Sequence, residues 1–106
     1  MIRGTTPQLD FHLPFDVSII KTVWITFSQY EEELFTVKTE DVTMAGSTIS
    51  VKLTQAQTLL LKPKKLLRDN NDVAIQLRIL THSGDAIASN IMRTSADMIL
   101  KDGEIV

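Results

Sequence analysis

Few residues in this chain have types and spacings that could do chemistry. They are His12 and His82, the run Glu31-Glu32-Glu33, the Asx-rich run Asp69-Asn70-Asn71-Asp72, and one tryptophan, Trp24. Nucleophilic catalysis needs a Ser, Thr or Cys beside a base and an orienting acid, and the chain has no G-x-S-x-G turn and no cysteine. His12 falls on the polar side of an alternating segment and His82 in a turn sequence, so both read as surface histidines rather than a catalytic pair. A zinc site would want H-x-x-x-H or C-x-x-C spacing, and neither occurs. The run from Asp69 starts like a calcium loop, but Ala74 stands where that loop needs Gly and Leu80 where it needs Glu, so it reads as a solvated turn.

The remaining chemistry is equally thin. Gly4, Gly46, Gly84 and Gly103 lie too far apart for a phosphate-cradling loop and read as turn or terminal punctuation. Consecutive glutamates alternate across a backbone, so Glu31 to Glu33 read as a solvated tip rather than an acid/base pair. Carboxylates from distant strands could converge across a cleft, but nothing in the sequence points to such a pair. The expectation is a non-enzyme without cofactor or metal.

Composition narrows the class further. A chain of 106 residues is one domain, residues 1–106, and 43% hydrophobic residues suffice for a core without disulfides. Residues 1–4 lead into Thr, Pro and an alternating segment, without the apolar run of a signal peptide. No apolar run approaches the roughly 18 residues of a membrane helix, so no membrane association is expected. Net charge is -2, from 11 basic and 13 acidic residues, which lacks the basic footprint of a nucleic-acid binder.

The elements that would position any site are mostly strands. Residues 8–13 alternate with Leu9, Phe11 and Leu13 on one side, and Pro14 ends them. Asp16-Val17-Ser18 suggests a turn or short helical piece. Residues 22–28 place Val23, Ile25 and Phe27 inward, the polar cluster 30–33 reads as a connecting loop, and 34–39 forms a third strand with Phe35 and Val37 on one face. Gly46-Ser47 between alternating runs predicts a tight hairpin with a II′ turn. Ile49, Val51 and Leu53 then alternate until Thr54-Gln55-Ala56-Gln57, which has the form of a capping box opening a helical turn. Residues 62–71 read as a charged excursion, and 72–81 as the longest strand, with Val73, Ile75, Leu77 and Ile79 inward. His82-Ser83-Gly84-Asp85 turns into one returning strand over 86–96, either face of which could be the buried one. The tail after it, with Met98, Ile99 and Leu100, orders only if something ties it down. The pattern predicts an all-β, immunoglobulin-like antiparallel sandwich of about seven strands, with one short helical crossover between sheets.

Two features could carry binding. Trp24 opposes the inward set of its strand, so it is either covered by a loop or tail, or exposed with Tyr30 as a contact for protein or carbohydrate. The basic cluster Lys62, Lys64, Lys65 and Arg68 could meet Glu31 to Glu33 of another copy head to tail, although most such clusters are simply solvated.

Several of these residues carry a resemblance. Arg3-Gly4-Thr5-Thr6-Pro7 before a strand, then Gly46, Ile49, Val51, Leu53, Thr54 and Thr58, then Ile75-Gln76-Leu77-Arg78, Gly84 and Ala88-Ser89, resemble in order and spacing small proteins of prophages and tailed phages of Gram-positive bacteria. The pattern is also similar to the N-terminal β-sandwich domain of phage baseplate upper proteins. It differs in a longer 62–71 excursion and in ending at Val106, ahead of the helical linker that follows in those proteins. The resemblance implies a stand-alone structural or accessory protein of the tail or baseplate, present in the bacterial host cytoplasm during assembly and then in the virion. Its partners would be itself or other phage tail proteins. A carbohydrate-binding module using Trp24, Tyr30 or Phe35 is the alternative.

Overall fold

A computed structural model describes residues 1–62, 73–94, 96, 101 and 103–106. Among the described residues, eight strands form two antiparallel sheets: β1 (Gln8–His12), β2 (Ile20–Gln29), β3 (Glu32–Lys38), β4 (Thr43–Ala45), β5 (Thr48–Lys52), β6 (Val73–Thr81), β7 (Ala86–Ala88) and β8 (Met92–Thr94). One sheet runs β1-β5-β4, the other β3-β2-β6-β7, with β8 also paired to β6. Period-2 alternation turns Val23, Ile25, Phe27, Val37, Ile75, Leu77 and Ile79 of the larger sheet toward Ile49, Val51 and Leu53 of the smaller. All of these are buried in one core cluster. This is the all-β sandwich that the alternation predicts.

Local chemistry accounts for the connections. Asp16 caps a 3-10 turn over Val17–Ile19, its carboxylate accepting from the Ser18 N–H. In the β4–β5 hairpin Gly46 has φ +60° and Ser47 is not among the positive-φ residues, as a II′ turn requires. The crossover helix α1 (Gln55–Leu59) opens with a full capping box: the Thr54 hydroxyl accepts from the Gln57 N–H at 3.1 Å, and the Gln57 side chain accepts from the Thr54 N–H at 2.9 Å. It carries the chain out of the smaller sheet; the 62–71 excursion that follows lies outside the described residues except for Lys62.

A five-residue helix is not stable alone, and α1 is held from three directions. Arg3 donates to the carbonyls of Leu61 (2.6 Å) and Leu59 (3.0 Å), and the buried Thr58 hydroxyl donates to the Thr5 carbonyl at 2.8 Å. At the exit, the Gln29 side chain, 1% exposed, donates to the Lys62 carbonyl at 3.0 Å and accepts from the Lys62 N–H at 2.6 Å. Gln55 grips Ile105 in the same two-bond manner, at 3.0 and 2.6 Å, which ties down the end of the tail. Leaving the buried Gln29 amide unpaired would cost about 1–3 kcal/mol.

Two expectations are corrected. Residues 30–33 are not a loop: Glu32 and Glu33 lie in β3, paired with Gln29 and Ser28, so Tyr30-Glu31 alone make the turn. Both have positive φ, +52° and +64°, a combination characteristic of I′ turns and usually met by Asn or Gly. The return over 86–96 is not one strand. Ala88 pairs with Arg78 and Met92 with Ile75, so Ser89 to Ile91 stand against only Gln76 and Leu77. This bulge is held by Ser89, whose hydroxyl accepts from the Leu77 N–H at 3.0 Å. It splits the return into β7 and β8, raises the count among the described residues to eight strands, and leaves Ile87, Ile91 and Met92 exposed.

The hairpin tip generates a test. Non-glycine residues at positive φ cost on the order of 1 kcal/mol each. The double substitution Tyr30→Asn with Glu31→Gly is therefore expected to stabilise the protein by about 1–2 kcal/mol, read as a higher urea midpoint at unchanged m-value.

Candidate docking surface

The alternation that buries Val23, Ile25 and Phe27 sends Thr22, Trp24, Thr26 and Ser28 to the outer face of the larger sheet. Register then decides who surrounds Trp24: Lys38 of β3 stands directly opposite on one side and Arg78 of β6 on the other. The Lys38 ammonium lies over the indole, 5.7 Å from its centroid, and the Arg78 guanidinium lies over it at 5.9 Å. Each such contact is worth about 0.5–1 kcal/mol at an exposed site. Trp24 remains 42% exposed. Of the two fates open in the sequence, exposure is the one realised.

Beyond Arg78 the row continues to Ala88, its partner on β7. Thr22, Trp24, Arg78, Leu80, Ala86 and Ala88 line a shallow cavity of about 340 Å³. A second depression of about 80 Å³, lined by Thr26, Ser28, Ala74, Gln76 and Ile91 among others, follows along the sheet. The outer face thus combines an aromatic ring, two cations and small apolar side chains. Toward β3 it turns polar: Thr26 and Thr36 share a 3.2 Å hydroxyl contact, and Thr36 donates to Glu33 at 3.0 Å.

The other residues singled out in the sequence fall elsewhere. Tyr30 follows the end of β2, six positions after Trp24 and roughly 20 Å from it at strand rise, and belongs to the hairpin tip. There the Lys62 ammonium sits 5.9 Å from its ring centroid and 3.2 Å from the Glu32 carboxylate. Lys62 thus pairs with the acidic run inside its own chain, in an exposed ion pair worth at most about 1 kcal/mol. Lys64, Lys65 and Arg68 lie outside the described residues, as do Met98, Ile99, Leu100 and the Asp69-Asn70-Asn71-Asp72 run. Phe35 stacks on Phe27 at 4.5 Å and packs against the core. Lys38 and Arg78 escaped the sequence reading because only strand register makes them neighbours of Trp24.

The outer face of the smaller sheet is a polar mesh. Asp10 accepts from Ser50 at 2.7 Å and from Gln8 at 3.2 Å, and His12 Nδ1 lies 3.1 Å from the Thr48 hydroxyl. The Ser50 hydrogen bond, then that of Gln8, with a smaller contribution from the His12 charge, holds the Asp10 carboxyl below the usual carboxylate range. Asp16 is likewise lowered by the backbone and hydroxyl of Ser18. Both favour the fold when ionised, a contribution present above the ordinary carboxylate pKa and lost as pH falls through the lower folded values. Among the described residues no group of three or more His, Asp or Glu gathers as a metal site, and no helix is long and apolar enough to cross a membrane.

An exposed indole between two cations should be quenched unequally by ions of opposite sign. Relative to free N-acetyltryptophanamide at equal ionic strength, the ratio of iodide to caesium Stern–Volmer constants for Trp24 is expected to rise several-fold; an unchanged ratio would contradict the cationic surroundings.

No family model matches the chain, and neither the curated proteins nor the solved structures yield a match.

Proposed function

We propose that this chain is a non-catalytic structural or accessory protein of a phage or prophage particle, of its tail or baseplate, and that it works by docking protein partners on the outer face of its larger sheet. The partners are copies of itself or neighbouring tail proteins. One observation carries the docking part: Trp24 stands 42% exposed in a central strand, flanked by Lys38 and Arg78 and adjoining an apolar depression. Trp and Arg are the residues most enriched at the energetic centres of protein interfaces, and small side chains beside them let a partner approach closely. The phage setting rests on the resemblance of the turn and core residues from Arg3 to Ser89.

The carbohydrate reading fits this geometry less well. Stacking a sugar needs an open aromatic face, and cations from both neighbouring strands already lie over the Trp24 ring. Tyr30 and Phe35 do not extend the platform, since one is at the hairpin tip and the other is stacked on Phe27.

Sedimentation velocity across micromolar to near-millimolar concentration, together with co-sedimentation with tails from the producing phage, tests the proposal. The wild-type chain is expected to associate in at least one of these settings. Trp24→Ala is expected to weaken that association about 30-fold or more, as for an interface centre worth 2 kcal/mol, with its thermal unfolding retained. A chain that is strictly monomeric and never sediments with tails, or one that associates equally well without Trp24, would overturn it.

A further inference from the structure

The outer-face row has a counterpart on the same chain. The β2–β3 turn projects Tyr30 and Glu31 from the end of the longest strand in the larger sheet, both held at positive φ. Backbone held in costly conformations persists where the surrounding structure enforces it, and such positions cluster at functional sites. Of the three glutamates here, Glu32 is engaged by Lys62 and Glu33 accepts from Thr36. Glu31 is exposed and has no hydrogen-bond or ion-pair partner among the described residues. The tip therefore offers an aromatic ring beside an uncommitted carboxylate on a two-residue turn.

We infer that the hairpin tip of one copy docks on the outer face of the next, with the Glu31 carboxylate set between Lys38 and Arg78 and the Tyr30 ring against the depression formed by Leu80, Ala86 and Ala88. The occupant is a second copy of this chain, and the argument for it is charge complementarity. The receiving row carries two cations within 6 Å of one ring centroid, while the offered turn carries the carboxylate. The contact cannot close within one chain, because Tyr30 stands six positions after Trp24 along extended chain, roughly 20 Å away. Tip and receiving face are different surfaces, so the contact is heterologous: each copy uses both, and repetition gives a ring or a filament. This inference rests on the docking reading and names its partner. It differs from a contact through Lys62, whose ammonium is already committed to Glu32 of its own chain.

Charge reversal tests it in the full chain. Glu31→Lys and Arg78→Glu are each expected to weaken self-association about tenfold or more, because each places like charges at the contact. Both residues are exposed, and each variant is first required to unfold at a wild-type temperature; Lys38→Glu serves as the second receiving-face variant should Arg78→Glu fail that requirement. An equimolar mixture of the tip variant with the receiving-face variant is expected to regain association. The reversed tip of one then meets the reversed face of the other, and the two unaltered surfaces still match. Persistence of association in both single variants, or failure of the mixture to regain it, overturns the inference. If either happens while Trp24→Ala still abolishes association, the docking reading stands with another occupant; if the wild-type chain does not self-associate at all, the inference falls whatever tails do.

Discussion

The two-residue alternation of β2 from Thr22 to Gln29, held between β3 and β6, is the constraint on which the rest of this molecule depends. Pairing with β3 and β6 locks its register, so Val23, Ile25 and Phe27 all face inward at zero exposure, and Trp24 must face outward between Lys38 and Arg78. A slip of one residue would exchange the two sets, exposing three large apolar side chains at about 1.5–3 kcal/mol each. The core therefore enforces the site. Trp24 is held where it stands chiefly by the burial of the residues before and after it, with its contacts to Lys38 and Arg78 adding less.

The second organising device is the set of clamps around α1. This helix is too short to persist by itself, yet it receives the N-terminal segment through Arg3 and Thr58, the end of β2 through Gln29, and the tail through Gln55. Each clamp joins a side chain to backbone groups of a distant segment, so polar groups at irregular places are satisfied where no ladder exists. The crossover between sheets thus ties down elements that short strands alone would hold loosely. The outer face of the larger sheet, with Trp24 42% exposed, is the surface on which docking is proposed.

Much of the scaffold was legible in the sequence because it is written in local patterns. Alternation in β1, β2, β5 and β6 marks their buried faces, Gly46-Ser47 marks its turn, and Thr54 with Gln57 marks the start of α1. What was not legible depends on pairing between distant residues. Tyr30-Glu31 contains neither Asn nor Gly, so nothing local announces a two-residue turn; the β2–β3 ladder imposes it. The return after Gly84 reads as one alternating strand, but the Ser89 bulge shifts its register by one residue, which is why neither face could be chosen beforehand. Trp24 was visible as a candidate, whereas Lys38 and Arg78 lie 14 and 54 positions away in sequence and become its neighbours only through strand register.

In the proposed contact the outer face receives the hairpin tip of another copy, and proximity of Glu31 to Lys38 across two chains is its most direct expression. Zero-length carbodiimide coupling of an equal mixture of unlabelled and 15N-labelled protein, followed by mass spectrometry of the digested products, reads this contact. The expected product is a Glu31–Lys38 cross-link in which half of the pairs join peptides of different isotopic origin. Cross-links confined to single chains, or intermolecular ones that bypass Lys38 and Glu31, would contradict it.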